Sequence, residues 1–340
     1  IDFTLCMGIP KIAPKFGELM KNLLDPAILF FVFGCFAGLI RSNLEIPRSI
    51  AKFLSLYLLM ALGLKGGFAL AKTGINSEIA LSMTIAIVMA FVVPTLGYLF
   101  LKNKIDKFDA AAIAASYGSV SAVTFVTAIQ YMEQSQLNPN GYMAIALVLM
   151  ESPAIILAIL LANKARASTI NSKKPNRVSK ILHESFTDGA QLLLLGSMIV
   201  GLVSGDSGQK IMAPFSIDLF KGMLSFFLLD MGLQAAKSFG YLKNTPKITI
   251  VYGLIAPFMH ASIALIISKV LGFGIGETIL LMVLAASASY IAAPAAVSLG
   301  LPTANGSLAL FASIGITFPF NLLVGIPLYL EIAEKLATIF

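Results

Sequence analysis

Charge is what this sequence has least of. Asp, Glu, Lys and Arg make up 12% of its 340 residues, while 58% are hydrophobic. That is about half the charged share of an ordinary globular protein. A soluble fold of this length cannot hide so much apolar surface. A bilayer can, because a spanning helix takes roughly 20 apolar residues. The uncharged stretches are long: 53 residues from Thr278 to Leu330, 23 each in Ile79–Leu101 and Ala110–Met132, and 21 in Ile248–Ser268. Cysteine is almost absent as well. Cys6 and Cys35 stand 29 residues apart with no metal-ligand spacing, which excludes a disulfide scaffold and a zinc site. There are two histidines, His183 and His260. With no His/Asp/Glu metal cluster, no Gly-x-Ser-x-Gly elbow and no Ser–His pair at one depth, the chain does not read as an intramembrane enzyme, and it calls for no cofactor.

What is present is a series of apolar segments. Ten spans are expected, at 25–41, 47–72, 78–101, 108–131, 140–163, 187–205, 214–237, 247–271, 276–299 and 306–332. The longest connection is polar and basic, carrying Lys164, Arg166, Lys173, Lys174, Arg177 and Lys180. It divides the chain into a first five-span half (1–163), a linker (164–186) and a second five-span half (187–340). Ile1–Lys21 holds three lysines and several Gly/Pro breaks, so it does not read as a cleavable signal peptide. The net charge of +7 fits basic cytoplasmic loops better than a nucleic-acid surface. Connections after odd-numbered spans hold 15 Lys/Arg and the opposite side 8, which places both termini outside.

The halves repeat weakly but in register. Asp25 and Gly38-Leu39 match Asp188 and Gly201-Leu202; Leu62-Gly63-Leu64 matches Met231-Gly232-Leu233; Glu151-Ser152-Pro153 matches Thr317-Phe318-Pro319. Because five is odd, the second half enters the membrane from the other side. An all-α polytopic protein built from two inverted repeats is a hallmark of secondary transporters.

Spans 4 and 9 should be interrupted. Span 4 reads Ala-Ala-Ser-Tyr-Gly-Ser-Val-Ser-Ala-Val-Thr over Ala114–Thr124, and span 9 reads Ala-Ala-Ser-Ala-Ser-Tyr-Ile-Ala-Ala-Pro over Ala285–Pro294. Gly118 weakens the first helix and Pro294 removes a hydrogen bond from the second. Backbone freed inside the membrane must be buried in protein or line a cavity. Half-helix N-termini attract anions. Freed carbonyls with the hydroxyls of Ser119, Ser121, Thr124, Ser287 and Ser289 suit a hard cation such as sodium. Small-residue stripes also serve helix packing; the mirrored placement favours a site. Among intramembrane charges, Glu151 is the best candidate ion ligand, with Thr317 opposite it in the other half. Lys65 and Asp230, on equivalent spans, are expected to form a structural ion pair. His260 reads as a packing residue.

Four motifs carry a resemblance: Gly-Ser-Val-Ser at 118–121, Met-Glu-Ser-Pro-Ala at 150–154, the span-9 stretch at 285–294, and Leu-Pro-Thr-Ala-Asn at 301–305. They resemble the sodium-dependent bicarbonate permease family, best known from cyanobacteria, from about Asp25 to Ala333. The resemblance implies a gate domain (spans 1, 2, 6, 7) and a core domain (spans 3–5, 8–10). It further implies a homotrimer in the bacterial inner membrane, symport of sodium and bicarbonate by elevator-like movement, and a cytoplasmic PII-like regulator. The anion would lie among Gly118, Ser119, Val120, Ser121, Ser287, Ala288, Ser289, Tyr290 and Ile291, with sodium at Ser121, Thr124, Glu151 and Thr317. Cyanobacterial members have aspartates where this chain has Tyr290 and Glu151, and a neutral residue at Lys65. Two other readings stand beside symport of bicarbonate or a similarly small anion: an organic-anion carrier on the same scaffold, and a membrane sensor that binds without transporting.

Overall fold

The computed structural model describes residues 24–74, 76–137, 139, 141–167, 189–290 and 304–337. Most of the basic linker, Ile291 and Pro294 lie outside them. The described residues form helices and turns, with no strand among them. In chain order the helices are α1 (Pro26–Leu39), α2 (Arg48–Thr73), α3 (Ser77–Leu101), α4 (Lys107–Gly118), α5 (Ala122–Gln134), α6 (Ala144–Ala167), α7 (Gly189–Ala213), α8 (Phe220–Ser238), α9 (Lys247–Val270), α10 (Ile275–Ala286) and α11 (Gly306–Ala337).

Local chemistry sets their starts. Asp25, Asn76, Asp106 and Asn305 each accept a backbone N–H from the first turn of the helix that follows, while Pro47 and Pro246 precede α2 and α9. Six helical stretches are long and apolar enough to cross a membrane: Arg48–Thr73, Ser77–Leu101, Lys107–Gln134, Gly189–Lys243, Lys247–Val270 and Gly306–Ala337. Pro26–Leu39, Gly141–Glu151 and Ile275–Ala286 are shorter apolar helices. The chain is therefore a multi-pass helical membrane protein. The stretch between expected spans 6 and 7 is mostly helical. Gly205, at φ 53° and ψ −143°, breaks the backbone, and helical turns then resume into a wide turn at Pro214–Asp218.

Two pairs of helices lie in backbone contact, α1 with α8 and α2 with α7. Glycine makes this possible, since a Cβ at Gly232 would collide with the Phe31 carbonyl and one at Gly67 with the Met198 carbonyl. The contacts are also patterned. Gly232 meets Phe31, Gly34 and Cys35, while Gly63 meets Leu194, Ser197 and Met198. Gly201 meets Leu64 and Gly67, while Gly38 meets Leu233 and Ala236. A shift of 163 residues carries 31, 34 and 35 onto 194, 197 and 198; a shift of 169 carries 64 and 67 onto 233 and 236. These offsets are those of the sequence repeat.

Beside these pairs, α3, α6, α9 and α11 pack around α4, α5 and α10. Every residue from Ala110 to Gly118 and from Glu277 to Ala286 is buried. Apolar on all sides, α4 and α10 belong in the interior of the bundle. The outward faces of α3 and α9 carry exposed Phe91, Leu99, Ile255 and Ile266, as lipid requires.

The glycine contacts yield a test. Gly232→Ala and Gly63→Ala should each lower stability by about 1–3 kcal/mol through overpacking. Gly222→Ala, with nothing within 4 Å of its added methyl, should not. Thermal unfolding of the detergent-solubilised variants checks this; equal midpoints for all three would contradict the close approach.

Candidate functional site

Span 4 is interrupted as the sequence suggests, but the interruption is centred elsewhere. Gly118 is the last residue of α4, and Ser119–Ser121 are non-helical. Gly118 serves close packing: a Cβ there would lie 2.7 Å from both Pro94 Cγ and Ala154 Cβ. The chain turns at Val120, whose φ is +50°. For a β-branched residue that is a strained conformation, worth about 1–3 kcal/mol. Ser121 then caps α5, its Oγ accepting the Thr124 N–H at 3.3 Å.

The end of α10 crosses this interruption. Helix α10 stops at Ala286, and Ser287–Tyr290 run non-helically past Ser119–Ser121. The Ser289 N–H donates to the Ser116 carbonyl at 2.7 Å, and the Ser121 N–H donates to Ser287 Oγ at 2.9 Å. The Ser287 hydroxyl in turn donates to the Leu284 carbonyl at 2.9 Å. Each segment thus satisfies backbone groups the other has freed.

A cavity of about 190 Å³ opens beside the crossing. One wall holds Ser119, Val120, Ser121, Ala122, Val123, Ser289 and Tyr290, with Leu147, Val148 and Glu151 from α6. The other comes from α2 (Ser55, Leu59) and α7 (Ala190, Gln191, Leu194). One wall residue, Ser119, carries a buried hydroxyl without a hydrogen-bond partner among the described residues, and the buried Tyr290 hydroxyl has the Ser121 side chain near it. The Tyr290 ring rests edge-on against Phe318, 5.7 Å between centroids, and Phe318 in turn meets Phe31 of α1. The N–H groups of the first turn of α5 have no intrahelical acceptor, and Ala122 and Val123 bring that turn to the wall. The lining mixes hydroxyl groups with the aliphatic side chains of Leu59, Leu147, Val148 and Leu194.

Of the residues singled out from sequence, Ser119, Val120, Ser121, Ser289, Tyr290 and Glu151 line the cavity together. Gly118, Ser287, Ala288 and Thr124 are buried in or beside the crossing but are not among its lining residues. Ile291 lies outside the described residues. Thr317 is held elsewhere. Its hydroxyl donates to the Gly253 carbonyl at 2.8 Å and meets the Tyr117 hydroxyl at 2.6 Å, joining α4, α9 and α11. His260 packs against Tyr117 and Tyr252, in keeping with a packing role.

The expected pair between Lys65 and Asp230 does not form. Lys65 Nζ binds Glu133 Oε1 at 3.0 Å and lies 4.3 Å above the Phe220 ring. Buried Asp230 instead accepts from Gln234 Nε2 at 2.6 Å. Equivalent spans had suggested the pair, but the two residues sit at different heights on them, and Glu133 at the end of α5 is nearer Lys65. Sequence reasoning also missed Ser55 and Gln191. Each is an isolated polar residue in an apolar helix, a signal that was available. It missed Glu277 too, which is fully buried at the start of α10 and accepts the Ser82 hydroxyl at 3.2 Å.

The strain at Val120 is open to measurement. Val120→Gly should stabilise the protein by about 1 kcal/mol, a rise of roughly 2 °C in melting midpoint. An unchanged or lower midpoint would show that the turn stores no strain.

A comparison with individually curated proteins gives no match. A protein-family model described as the Na+-dependent bicarbonate transporter superfamily matches residues 26–334, nearly the whole chain and all of the helices that build the cavity. The chain belongs to the Na+-dependent bicarbonate transporter superfamily.

Proposed function

We propose that this protein is a secondary carrier that symports sodium with bicarbonate or a similarly small anion, using the cavity beside the α4–α5 interruption as its binding site. The observation that carries the reading is the buried, unpartnered hydroxyl of Ser119, with the Tyr290 and Ser121 hydroxyls close by, beside the N-terminal turn of α5. Buried hydroxyls without partners are costly, and an anion supplies what they lack. The helix end adds partial positive charge. Glu151 and the hydroxyls of Ser121 and Ser289 offer hard oxygen to the accompanying sodium ion.

Alternating access follows from where the walls come from. The polar wall belongs to the expected core (spans 3–5 and 8–10), the opposite one to α2 and α7 of the expected gate (spans 1, 2, 6, 7). Sliding the core along the gate as an elevator would carry the polar wall, and its ligand, across the membrane. The matched glycine contacts of α1–α8 and α2–α7 support an inverted repeat of five spans in each half, hence ten in all. The reading extends, on the strength of the resemblance, to a homotrimer in the bacterial inner membrane and a PII-like cytoplasmic regulator; the Lys/Arg bias of the loops puts both termini outside.

One feature favours a second reading. Leu59, Leu147, Val148 and Leu194 give the cavity aliphatic surface that bicarbonate does not use. A cavity of about 150 Å³ is large enough for benzene. A small carboxylate with an apolar tail would use both the hydroxyls and the aliphatic lining.

Uptake of radiolabelled bicarbonate into proteoliposomes tests both. An inward sodium gradient should drive accumulation that a potassium gradient does not. Ser119→Ala and Tyr290→Phe should each raise KM by about tenfold, the worth of one hydrogen bond to an ion. Bicarbonate uptake indifferent to sodium would end the symport reading. Uptake of propionate but not bicarbonate would establish the organic-anion alternative.

A further inference from the structure

Helix α5 has the candidate site at its first turn, and its last turn is gripped as well. Glu133 receives Lys65 of α2 at 3.0 Å. The next residue, Gln134, donates from Nε2 to Asp25 Oδ2 at 2.7 Å. The same Asp25 oxygen takes Lys221 Nζ at 2.9 Å, while Oδ1 caps α1 through the Ala27 N–H at 2.8 Å. Two helices of the expected gate, α1 through Asp25 and α2 through Lys65, are therefore tied to two consecutive residues of the expected core, and Lys221 of α8 braces Asp25 from the gate side. The hub is half-enclosed: the side chains of Asp25 and Lys65 are 9% and 19% exposed, those of Glu133 and Lys221 36% and 43%.

We infer that Asp25, Lys65, Glu133, Gln134 and Lys221 form a latch that holds the core to the gate in this conformation and opens when the core slides. The inference rests on the moving-core reading above. Thirteen helical residues, Ala122–Gln134, make a stiff rod of about 20 Å between site and latch. Hydrogen bonds and ion pairs are lost within about an ångström beyond contact distance. A shift of a few ångströms along α5 thus breaks all its links to the gate at once, and the cost falls on the first part of the movement.

The surroundings make the latch reversible. Lys65 and Glu133 line a second cavity of about 670 Å³, together with Lys72, Thr73, Gln136 and Gln209. Water there can solvate the separated charges, so opening avoids the penalty of unpaired charges buried in the membrane. A partly exposed pair backed by an aromatic ring biases the equilibrium without locking it. The tie between site and latch is mechanical: whatever shifts the first turn of α5 along its axis also shifts Glu133 and Gln134.

Spin labels at Ser42→Cys, between α1 and α2, and Asn103→Cys, between α3 and α4, report gate-to-core distance in a background where Cys6 and Cys35 are alanine. Distances are measured by pulsed electron resonance in nanodiscs, with and without sodium and bicarbonate. Glu133→Gln, which keeps the shape of the side chain, should move the ratio of populations away from the distance of this structure by about two- to tenfold. Lys65→Glu should do at least as much, and Lys65→Glu with Glu133→Lys should restore the parent ratio. A Glu133→Gln ratio equal to the parent's, where the parent shows two distances, overturns the latch and leaves the moving core standing. Single variants that shift the ratio without rescue by the swap also overturn it. One unchanging distance in parent and variants alike, under every condition, overturns the moving core itself.

Discussion

Two hydrogen bonds at the crossing, Ser289 N–H to Ser116 C=O and Ser121 N–H to Ser287 Oγ, are the interaction on which the rest of the architecture depends. Hydrocarbon offers no partners to an interrupted helix, so an interruption survives in a membrane only if protein completes it. Here a second helix end crosses the first. That requirement explains why α4 and α10 are buried on every side, and why longer helices wrap them. It also explains the polar cavity in an otherwise apolar bundle: the crossing leaves hydroxyls and a helix end over, and they face the space beside it.

Further polar ties hold the crossing in place from behind. Asn321 donates from Nδ2 to the Ala286 carbonyl at 2.8 Å, where α10 ends, and its own oxygen accepts the Tyr329 hydroxyl at 3.1 Å. The Tyr117–Thr317–Gly253 chain fixes the last turns of α4 to α9 and α11. Helix α11 reaches these positions by widening at Phe311–Thr317 and again at Asn321–Gly325, on either side of Pro319, which donates no backbone hydrogen bond. Side-chain positions along α11 are thereby rotated toward the crossing. Thr317 contributes by fixing the segments around the cavity, at a remove from its wall.

Apolar run length was enough to read a multi-pass helical membrane protein, and mirrored serine motifs were enough to find the crossing. Both signals are local. What escaped was non-local or depended on backbone conformation. Gly118 looked like the point of weakness because glycine is a poor helix former, yet the strained turn falls on Val120, where no propensity would put it. Lys65 was matched to Asp230 because both are deep in equivalent spans. Its true partner, Glu133, is 68 residues away at the end of a half-helix that the sequence treats as a span boundary. Ser55 and Gln191 reach the cavity because α2 and α7 are drawn together by glycine contacts, which no single span reveals.

Those glycine contacts have a consequence for how the chain is made. Each close pair joins an early helix to a late one: Gly34 of α1 meets Gly232 of α8, and Gly67 of α2 meets Gly201 of α7. During synthesis at about 5–20 residues per second, α1 must wait roughly ten to forty seconds for its neighbour to emerge. For that interval its glycine face stands in the bilayer without its final partner, and Asp25 waits first for Gln134 and then for Lys221. The first half can insert early but cannot finish folding by itself, so membrane insertion and completion of the structure are separate events, and the interval between them is when quality control has access to the nascent protein.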